Sequence, residues 1–444
     1  MLRFAPSPTG FLHFGNIRVA LLNFLFAKKN KLNFFLRIDD TDKERSKDEF
    51  TSSIVEDLKW LGIEYFKVIK QSERLEKYKD IFKFLKNKNL IYPCFESSDE
   101  LSFKRKILLK QGKPPIYDRS SLNLTKSEIT SKIQSGINPY WRLKLDERPI
   151  EWNDLIHGKI TFNNLSVSDP VIFRSDEMPL FTITSVVDDA EMRVSHVFRG
   201  DDHITNTAAQ IKLFKSIDAS IPDFGHFPLI KSKTGEGLSK RSNSLSIKEF
   251  KEKKIFKIII LNYLNKIGTN QSIEEIQDFD SLVKSFDLKK FSKNSIFFDP
   301  SDIERLNAKY IKSIDFEKLE KNYSTGIDIK LWEVIKSNID SIDEALEWKK
   351  LIKGKFNLEH KIIVEKNLKK IIKDCVPSNI NNSFWELWTN KILKEFDIKP
   401  GKLYVTIRKI LTGKKFGPSM NDLLTLMEKD EIIRRVDFNC EEED

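Results

Sequence analysis

The chain has 444 residues, of which 40% are hydrophobic and 32% charged, a composition typical of a globular protein with about two to four domains. Its formal net charge of +10 favours a polyanionic partner. Three scattered cysteines argue against a disulfide framework and favour a reducing, cytoplasmic compartment. No apolar run is long enough to span a bilayer and no signal-peptide pattern opens the chain, so no membrane partner is expected.

The first forty residues predict the nucleus of a doubly wound α/β domain. A strand over Leu2–Ala5, a helix over Ile17–Lys29 and a strand over Asn33–Ile38 form a strand–helix–strand unit, which implies parallel pairing. The connection before the helix is rich in proline and glycine, and it leads to a helix N-terminus that suits a phosphate. His13 and Asn16 would add donors there, unless this is an ordinary strand–turn–helix connection.

The rest of the chain divides into further segments at changes in composition and hydrophobic pattern. Two halves of a nucleotide-binding domain flank an insertion, and helical segments follow. The predicted segments are 1–90, the insertion 91–179, the second half 180–245, the segment 246–313 and the helical region 314–444. In the second half, Phe181–Val187 and Val194–Arg199 are predicted to be strands. The acidic end Glu441–Asp444 is expected to be a solvated, disordered tail.

Three strings in the first segment carry a family resemblance. Arg3 to Gly10, Leu12 to Arg18 and Leu36 to Asp42 closely resemble bacterial glutamyl-tRNA synthetases, and His13–Asn16 resembles the first signature of class I aminoacyl-tRNA synthetases. Further matches run almost to the C-terminus. The resemblance implies an α/β fold: a class I Rossmann-like nucleotide-binding domain with an inserted tRNA acceptor-binding domain. A stem-contact region and an all-α C-terminal anticodon-binding region would follow.

The reaction implied by this resemblance is attack of a glutamate carboxylate on the α-phosphorus of ATP, which requires alignment and charge neutralisation more than a strong base. The implied catalytic residues are His13, Gly15, Asn16 and Lys240. The implied ATP-binding residues are Thr9, His13, Gly15, Asp202, Leu238, Ser239, Lys240 and Arg241. Mg²⁺ would accompany ATP rather than occupy a protein cage. Gly237 replaces the first lysine of the second class I signature, so one pyrophosphate contact is missing or comes from Lys231 or Lys233.

The resemblance also implies a glutamate pocket that contains both cations and an anion. Its residues would be Arg3, Ser7, Asp39, Phe181, Ser185 and Arg199. The guanidinium groups of Arg3 and Arg199 would bind carboxylates through paired hydrogen bonds. Asp39 would hold the ammonium group, with Ser7 as a neutral helper. The alternative for two of these residues is a structural ion pair between Arg3 and Asp39 on adjacent strands.

Three residues of this pocket depart from the family pattern. Glutamyl enzymes usually have glutamate where this chain has Asp39, whereas glutaminyl enzymes have aspartate. Phe181 replaces a usual tyrosine and Ser185 replaces an asparagine that is often present, so two contacts to the amino acid are altered. The neighbouring Asp188 and Asp189 either belong to the site or serve as structural caps.

Some members of the family bind zinc in the insertion, through a Cys-x-Cys pair and later ligands. Here Glu96 takes the second position after Cys94, and the segment around Tyr117 has no cysteine or histidine. Too few ligands remain for a four-coordinate structural site, so we expect no metal site. Cys94 is instead predicted to be a small buried side chain.

The predicted macromolecular partner is tRNA-Glu, with tRNA-Gln left open as a second acceptor, and the protein is expected to be a monomer. RNA recognition through phosphates, shape and splayed bases requires basic surfaces along the chain. A basic helix near Lys104–Lys113 and a lysine-rich segment over 289–293 would contact the acceptor and D stems. The segments Lys399–Tyr404 and Ile407–Gly413 resemble the family's helical anticodon-binding domain.

Two alternatives to a glutamate–tRNA ligase remain. Asp39 favours a glutaminyl-tRNA synthetase-like activity, but glutaminyl enzymes end in β-barrels, and 314–444 is predicted to be helical. Gly237, together with the altered pocket residues, favours a non-catalytic tRNA-binding paralogue. Such a paralogue would be expected to lack His13, Lys240 or Arg199, and all three are present.

Overall fold

In the computed structural model of this chain, the described residues are 1–146, 148–163, 168–232, 246–381 and 383–443. The chain forms two compact units. The first unit consists of Met1–Glu249 with Ile260–Asp299, and the second consists of Phe250–Ile259 with Pro300–Asp444. No helix among the described residues is long and apolar enough to cross a membrane.

A parallel sheet forms the nucleus of the first unit. Its first elements are β1 (Leu2–Phe4), α1 (Phe14–Lys29), β2 (Phe34–Ile38), α2 (Asp48–Leu61), β3 (Val68–Lys70) and α3 (Leu75–Asn87). Strand β2 lies between β1 and β3 and pairs in parallel with both, with Arg3 opposite Phe35. Every residue of β1 and β2 is buried, as expected for parallel strands that are covered on both faces. The predicted strand–helix–strand nucleus is therefore confirmed.

The predicted insertion contains antiparallel strands and two helices without buried residues. Its elements are β4 (Ile91–Cys94), α4 (Ser98–Lys110), α5 (Lys126–Gln134), β5 (Tyr140–Leu143), β6 (Ile150–Asp154), β7 (Gly158–Phe162) and β8 (Val171–Phe173). Strands β4, β5 and β8 form one sheet, and β6 pairs with β7 as a hairpin. Cys94 is buried, as predicted, with its Sγ 3.7 Å from Tyr117 Oη. Glu96 accepts a hydrogen bond of 2.6 Å from that tyrosine hydroxyl.

The second part of the sheet differs from the prediction at its start. Its elements are α6 (Phe181–Glu191), β9 (His196–Gly200), α7 (Ile204–Ser216) and β10 (Asp223–Phe227), with β9 and β10 parallel. The predicted strand over Phe181–Val187 is wrong, because this segment is helical. Its β-branched residues favour a strand locally, but the helical spacing of Ile183, Val186 and Val187 buries all three side chains. The Ser195 amide donates to Met1 O (3.0 Å), which places the start of β9 beside β1.

The remaining elements of the first unit include a separate two-stranded sheet, and the residues of α8 and α9 are divided between the two units. These elements are β11 (Ile230–Ser232), α8 (Ile247–Glu252), α9 (Lys257–Lys266), α10 (Phe279–Ser285) and β12 (Ile296–Phe298). Strands β11 and β12 pair in parallel, with Ile230 opposite Ile296. The prediction that Ile247–Ile311 is helical is therefore confirmed only in part, because β12 lies within it. Phe14 of α1 stacks on Phe298 with ring centroids 4.3 Å apart, which fixes β12 against the start of α1.

The second unit is mainly helical. Its elements after the shared helices are α11 (Pro300–Ser313), α12 (Phe316–Tyr323), α13 (Ile329–Ile335), α14 (Ile342–Lys353), β13 (Ile362–Glu365), α15 (Lys366–Asp374), α16 (Phe384–Glu395), α17 (Pro400–Thr412), α18 (Met420–Leu424), α19 (Lys429–Asn439) and β14 (Cys440–Glu443). Strands β13 and β14 form a parallel pair, so the expectation of an all-α region is wrong at these strands. The expected disordered tail is also wrong for Glu441–Glu443, because backbone pairing holds these acids in β14.

Candidate active site

A cavity of about 590 Å³ lies at the carboxyl ends of β1 and β9 and the N-terminus of α1, the usual place for ligands in an open parallel sheet. Its lining includes the following predicted site residues: Arg3, Ser7, Thr9, His13, Gly15, Asn16, Phe181, Arg199 and Asp202. Asp39 lines a second cavity of about 610 Å³, and Ser7, Thr9 and Phe181 line both. The structure therefore brings most of the predicted ATP-binding and glutamate-binding residues together.

The N-terminus of α1 is organised by its own capping residues. His13 is the N-cap, and its Nδ1 accepts a hydrogen bond of 3.1 Å from the Gly15 amide. Asn16 Oδ1 accepts from the His13 amide (3.4 Å), which completes a capping box. A Cβ atom at Gly15 would lie 3.1 Å from His13 Cε1, so glycine lets the imidazole pack on the backbone. The helix N-terminus offers a positive dipole end to an anion in the cavity.

Arg199, at the end of β9, is a buried cation that is held by neutral groups. Its Nη2 donates to Thr207 Oγ1 and to Gln210 Oε1, each at 2.6 Å. Its Nε donates to His226 Nε2 at 3.3 Å. Its Nη1 is buried and has no hydrogen-bond partner among the described residues. Burial, with a smaller contribution from Arg3, lowers the pKa of Arg199 to about 9. Among the described residues, no carboxylate is hydrogen-bonded to this guanidinium, so it suits an incoming carboxylate.

Arg3 differs from Arg199 because it already has a carboxylate partner. Its Nε and Nη2 donate to Asp189 Oδ1 and Oδ2 at 2.9 and 3.2 Å. Arg37 donates to the same Asp189 (2.6 Å) and, through Nε, to Asp39 Oδ1 (2.7 Å). The alternative ion pair between Arg3 and Asp39 is therefore wrong, since each has a different partner. Burial, opposed by Arg37, raises the pKa of Asp39 to about 6.

Asp188 and Asp189 tie α6 to its neighbours. Neither caps a helix, because both lie inside α6, so that alternative is wrong. Asp188 accepts hydrogen bonds from Arg74 Nε (2.7 Å), Gln71 Nε2 (2.7 Å) and Tyr78 Oη (2.9 Å). Together with the Asp189 pairs, these bonds join α6 to β1, β2 and the start of α3. The sequence contained one signal for these ion pairs. Two consecutive acids stand beside an apolar run, and arginines stand on two buried strands that could pair with them.

Ser185 lies behind the cavity. It is fully buried, and its Oγ donates to the Phe181 carbonyl (2.7 Å) and accepts from Gln210 Nε2 (2.6 Å). Since Gln210 also holds Arg199, Ser185 is connected to the guanidinium through one side chain. Sequence reasoning missed Gln210, which has no motif signal.

Asp202 and His203 lie at the mouth of the cavity, after the Gly200 turn. A Cβ atom at Gly200 would lie 2.5 Å from Asp202 Oδ1, so a larger residue there would displace the Asp202 carboxylate. The ring centroids of His203 and Phe181 are 5.5 Å apart. Burial and the nearby Arg199 charge lower the pKa of His203 to about 4, so its imidazole is neutral near pH 7.

The predicted second-signature residues lie outside the described residues. They are Lys233, Gly237, Leu238, Ser239, Lys240 and Arg241. The described residues on both sides of this segment lie at the cavity. Lys231 lines it, and Ser246 forms an isolated β-bridge with His13. The described residues that flank this segment therefore lie beside the predicted phosphate site.

A separate pocket of about 300 Å³ lies in the second unit. The rings of Trp385 and Tyr404 line it, with centroids 5.6 Å apart. Arg408 Nη1 and Asn421 Oδ1 are buried there without hydrogen-bond partners among the described residues. Arg408 Nη2 donates to the Pro418 carbonyl (2.8 Å), which orients the guanidinium. Aromatic faces with an unpartnered donor and acceptor suit the edge of an unstacked nucleobase.

Two family models match the chain. The model for the catalytic domain of class I tRNA synthetases (E and Q) matches residues 1–305, and the model for an anticodon binding domain matches residues 332–439. The first match covers more than half of the chain. The second contains the Trp385–Arg408 pocket.

The chain is also similar to named proteins over its whole length. It is 40% identical over 439 residues to Glutamate--tRNA ligase 1 of Wolbachia pipientis, covering 98% of both chains. It is 39% identical to Glutamate--tRNA ligase 2 of Bartonella tribocorum, covering 98% of this chain and 99% of that protein. The crystal structure of a glutamate tRNA ligase from Elizabethkingia meningosepticum matches with a TM-score of 0.82, at 24% identity and 98% coverage of each chain, which supports the fold.

Proposed function

The chain belongs to the glutamate–tRNA ligase family of class I tRNA synthetases, and we propose that its cavity forms glutamyl-adenylate and transfers the glutamyl group to tRNA-Glu. The observation that carries the proposal is Arg199, a buried guanidinium that lines the cavity and whose Nη1 has no partner among the described residues. A carboxylate would supply the missing counter-charge. We propose that this carboxylate is the one on the glutamate side chain, where glutamine has a neutral amide, so the site would favour glutamate in spite of Asp39.

The neighbouring residues would complete the amino-acid site. Asp39, ionised above its pKa of about 6, would attract the ammonium group, with Ser7 between the two cavities as a neutral contact. Arg3 is already neutralised by Asp189, so we propose that it adds a directed hydrogen bond and little net charge. Phe181 would form an apolar wall, which needs no hydroxyl.

ATP would lie against the N-terminus of α1. We propose that ATP arrives as its magnesium complex, because Mg²⁺ is usually held by substrate phosphates and only one or two carboxylates rather than by a protein cage. His13 and the amides after it would neutralise charge on the phosphates. A carboxylate oxygen of glutamate attacks the α-phosphorus, and pyrophosphate leaves toward Lys240. A ribose hydroxyl at the tRNA 3′ end then attacks the carbonyl carbon, and AMP leaves.

We further propose that the Trp385–Arg408 pocket receives a base of the tRNA anticodon loop. The aromatic side chains would stack on the base, while Arg408 Nη1 and Asn421 Oδ1 would pair with its edge. Whether tRNA-Gln is a second acceptor depends on such contacts. We also propose that the enzyme acts in the cytoplasm, which its three free and buried cysteines support, and that it is a monomer. Light scattering of the purified chain tests the monomer.

Charging assays with the purified enzyme test the proposed function. Radiolabelled glutamate or glutamine is supplied with ATP and magnesium, and tRNA-Glu and tRNA-Gln transcripts are used separately. We expect glutamate to be attached to tRNA-Glu, and we expect no attachment of glutamine to either tRNA. Glutamate on tRNA-Gln as well would mean a non-discriminating enzyme. Attachment of glutamine would favour the glutaminyl-tRNA synthetase-like activity that Asp39 suggests. Tight tRNA binding without charging would favour the non-catalytic paralogue.

A further inference from the structure

Two reciprocal histidine–carboxylate pairs hold the β6–β7 turn against the carboxyl ends of β9 and β10. Asp154 Oδ2, at the end of β6, lies 2.6 Å from His226 Nδ1 in β10, and both side chains are fully buried. His157 Nε2, in the turn, lies 2.8 Å from Asp201 Oδ1, which directly follows β9. The Leu155 amide adds a backbone bond of 2.8 Å to Phe224. The Asp154–His226 pair contacts Arg199 through the His226 ring.

The hydrogen bonds around Asp154 determine the tautomer of His226. Asp154 Oδ1 accepts from the amides of Ile156 and His157, each at 3.0 Å, so Oδ2 is the atom that faces the imidazole. An ionised carboxylate only accepts hydrogen bonds, and His226 Nδ1 must therefore carry a hydrogen. Burial lowers the pKa of His226, which keeps its ring neutral near pH 7. The other nitrogen, Nε2, is then an acceptor.

That acceptor faces two donors of the glutamate site. His226 Nε2 lies 3.3 Å from Arg199 Nε and 2.9 Å from Thr207 Oγ1. When the Thr207 hydroxyl donates its hydrogen to the imidazole, Thr207 Oγ1 can still accept the hydrogen bond of 2.6 Å from Arg199 Nη2. The guanidinium is therefore oriented on two sides, and its Nη1 remains without a partner among the described residues.

We infer that His226, held in one tautomer by Asp154, is a positioning residue for Arg199, and that the β6–β7 hairpin thereby sets the affinity for glutamate. The inference rests on the proposed function, because it assigns Arg199 to the glutamate carboxylate. Neither Asp154 nor His226 lines the cavity. Their effect passes through the direction of the guanidinium group.

The substitution Asp154→Asn tests this inference through the tautomer. The backbone amides of Ile156, His157 and His226 all require an acceptor, so the asparagine oxygen takes the Oδ1 place and its NH₂ group faces His226 Nδ1. That nitrogen becomes the acceptor, Nε2 gains the hydrogen, and two donors then oppose each other at Arg199 Nε. We expect KM for glutamate to rise about 10- to 100-fold, the range for one hydrogen bond to a charged group, with KM for ATP unchanged.

A matched control separates the tautomer from the docking of the hairpin. His157→Asn weakens the second pair and leaves every acceptor of Arg199 in place, so we expect KM for glutamate within about twofold of the wild type. The double variant Asp154→Asn, His226→Gln tests rescue. A glutamine at 226 can turn its oxygen toward Arg199 whatever faces its other side, so glutamate affinity should return toward the wild-type value. KM values come from tRNA-dependent pyrophosphate exchange, with circular dichroism as a check of folding.

Nuclear magnetic resonance of ¹⁵N-histidine reports the tautomer directly, since the chain has only six histidines. We expect the hydrogen on His226 Nδ1 in the wild type and on Nε2 in Asp154→Asn. A swapped tautomer with unchanged KM, or an equal rise in KM for His157→Asn, would overturn the inference. If Asp154→Asn does not fold, His226→Leu against His226→Gln gives the same comparison. If the wild type forms no glutamyl-adenylate, the proposed function fails, while the tautomer measurement still decides the Asp154–His226 part.

Discussion

Replacing Arg199 with methionine removes the unpartnered guanidinium while keeping most of the side-chain volume. A hydrogen bond to a charged group contributes roughly 1.5–3 kcal/mol, and Arg199 Nη1 has N–H groups with no partner among the described residues. Loss of a two-bond contact to a carboxylate would therefore cost roughly 3–6 kcal/mol, or at least about a 100-fold rise in KM for glutamate. KM for ATP should stay within about twofold.

The same substitution should have two opposing effects on the stability of the unliganded protein. The pKa of Arg199, lowered to about 9 by burial, corresponds to roughly 4–5 kcal/mol of unfavourable free energy for the buried charge. Methionine removes that cost but leaves the acceptors on Thr207, Gln210 and His226 without their donor, at roughly 1–3 kcal/mol each. The gain of roughly 4–5 kcal/mol opposes a loss of roughly 3–9 kcal/mol, so we expect the free energy of unfolding to fall by clearly less than the loss of the three hydrogen bonds alone would give.

Thermal unfolding with and without glutamate measures both quantities in one experiment. Glutamate at 100 times its Kd stabilises the wild type by about 2.7 kcal/mol, and this stabilisation should vanish in Arg199→Met. Arg148→Ala is the control, because the Arg148 side chain is 85% exposed. If Arg199→Met keeps the glutamate-dependent rise in Tm, the assignment of a carboxylate to Arg199 is refuted. If its free energy of unfolding falls by as much as the loss of the three hydrogen bonds alone would give, the role of Arg199 is structural.

Three further predictions concern other parts of the two units. Gly15→Ala should slow adenylate formation about tenfold in single-turnover assays, because the alanine Cβ would displace the His13 ring. The control Gly401→Ala should leave this rate unchanged, because a Cβ there meets nothing within 4 Å. KM for glutamate should rise as the pH falls through about 6, because Asp39 then gains a proton and no longer attracts the ammonium group. The variant Asp39→Asn should have a high KM for glutamate without that pH dependence. If its KM depends on pH as that of the wild type does, Asp39 is excluded from the site. Trp385→Ala should raise Kd for tRNA-Glu about tenfold or more in filter binding, while Leu387→Ala, exposed on the same helix, should not; equal effects would argue against the base pocket.

The features that the sequence alone determined depend on residues close together in the chain. The strand–helix–strand nucleus follows from hydrophobic periodicity, and the His13–Asn16 cap joins residues within one helical turn. The family resemblance of the first forty-two residues likewise depends on contiguous strings. For these features, local geometry is sufficient, because the interacting groups are placed by a few backbone torsions.

Only the tertiary structure decided which distant groups pair with each other. The segment starting at Phe181 is rich in β-branched residues, yet it is helical because packing of its apolar face and the ion pairs of Asp188 and Asp189 outweigh local propensity. Arg3 and Arg199 look equivalent as buried arginines, but one meets Asp189 and the other meets only neutral partners. The free energy of a buried charge depends on its neighbours across the fold, and those neighbours are far away in the chain.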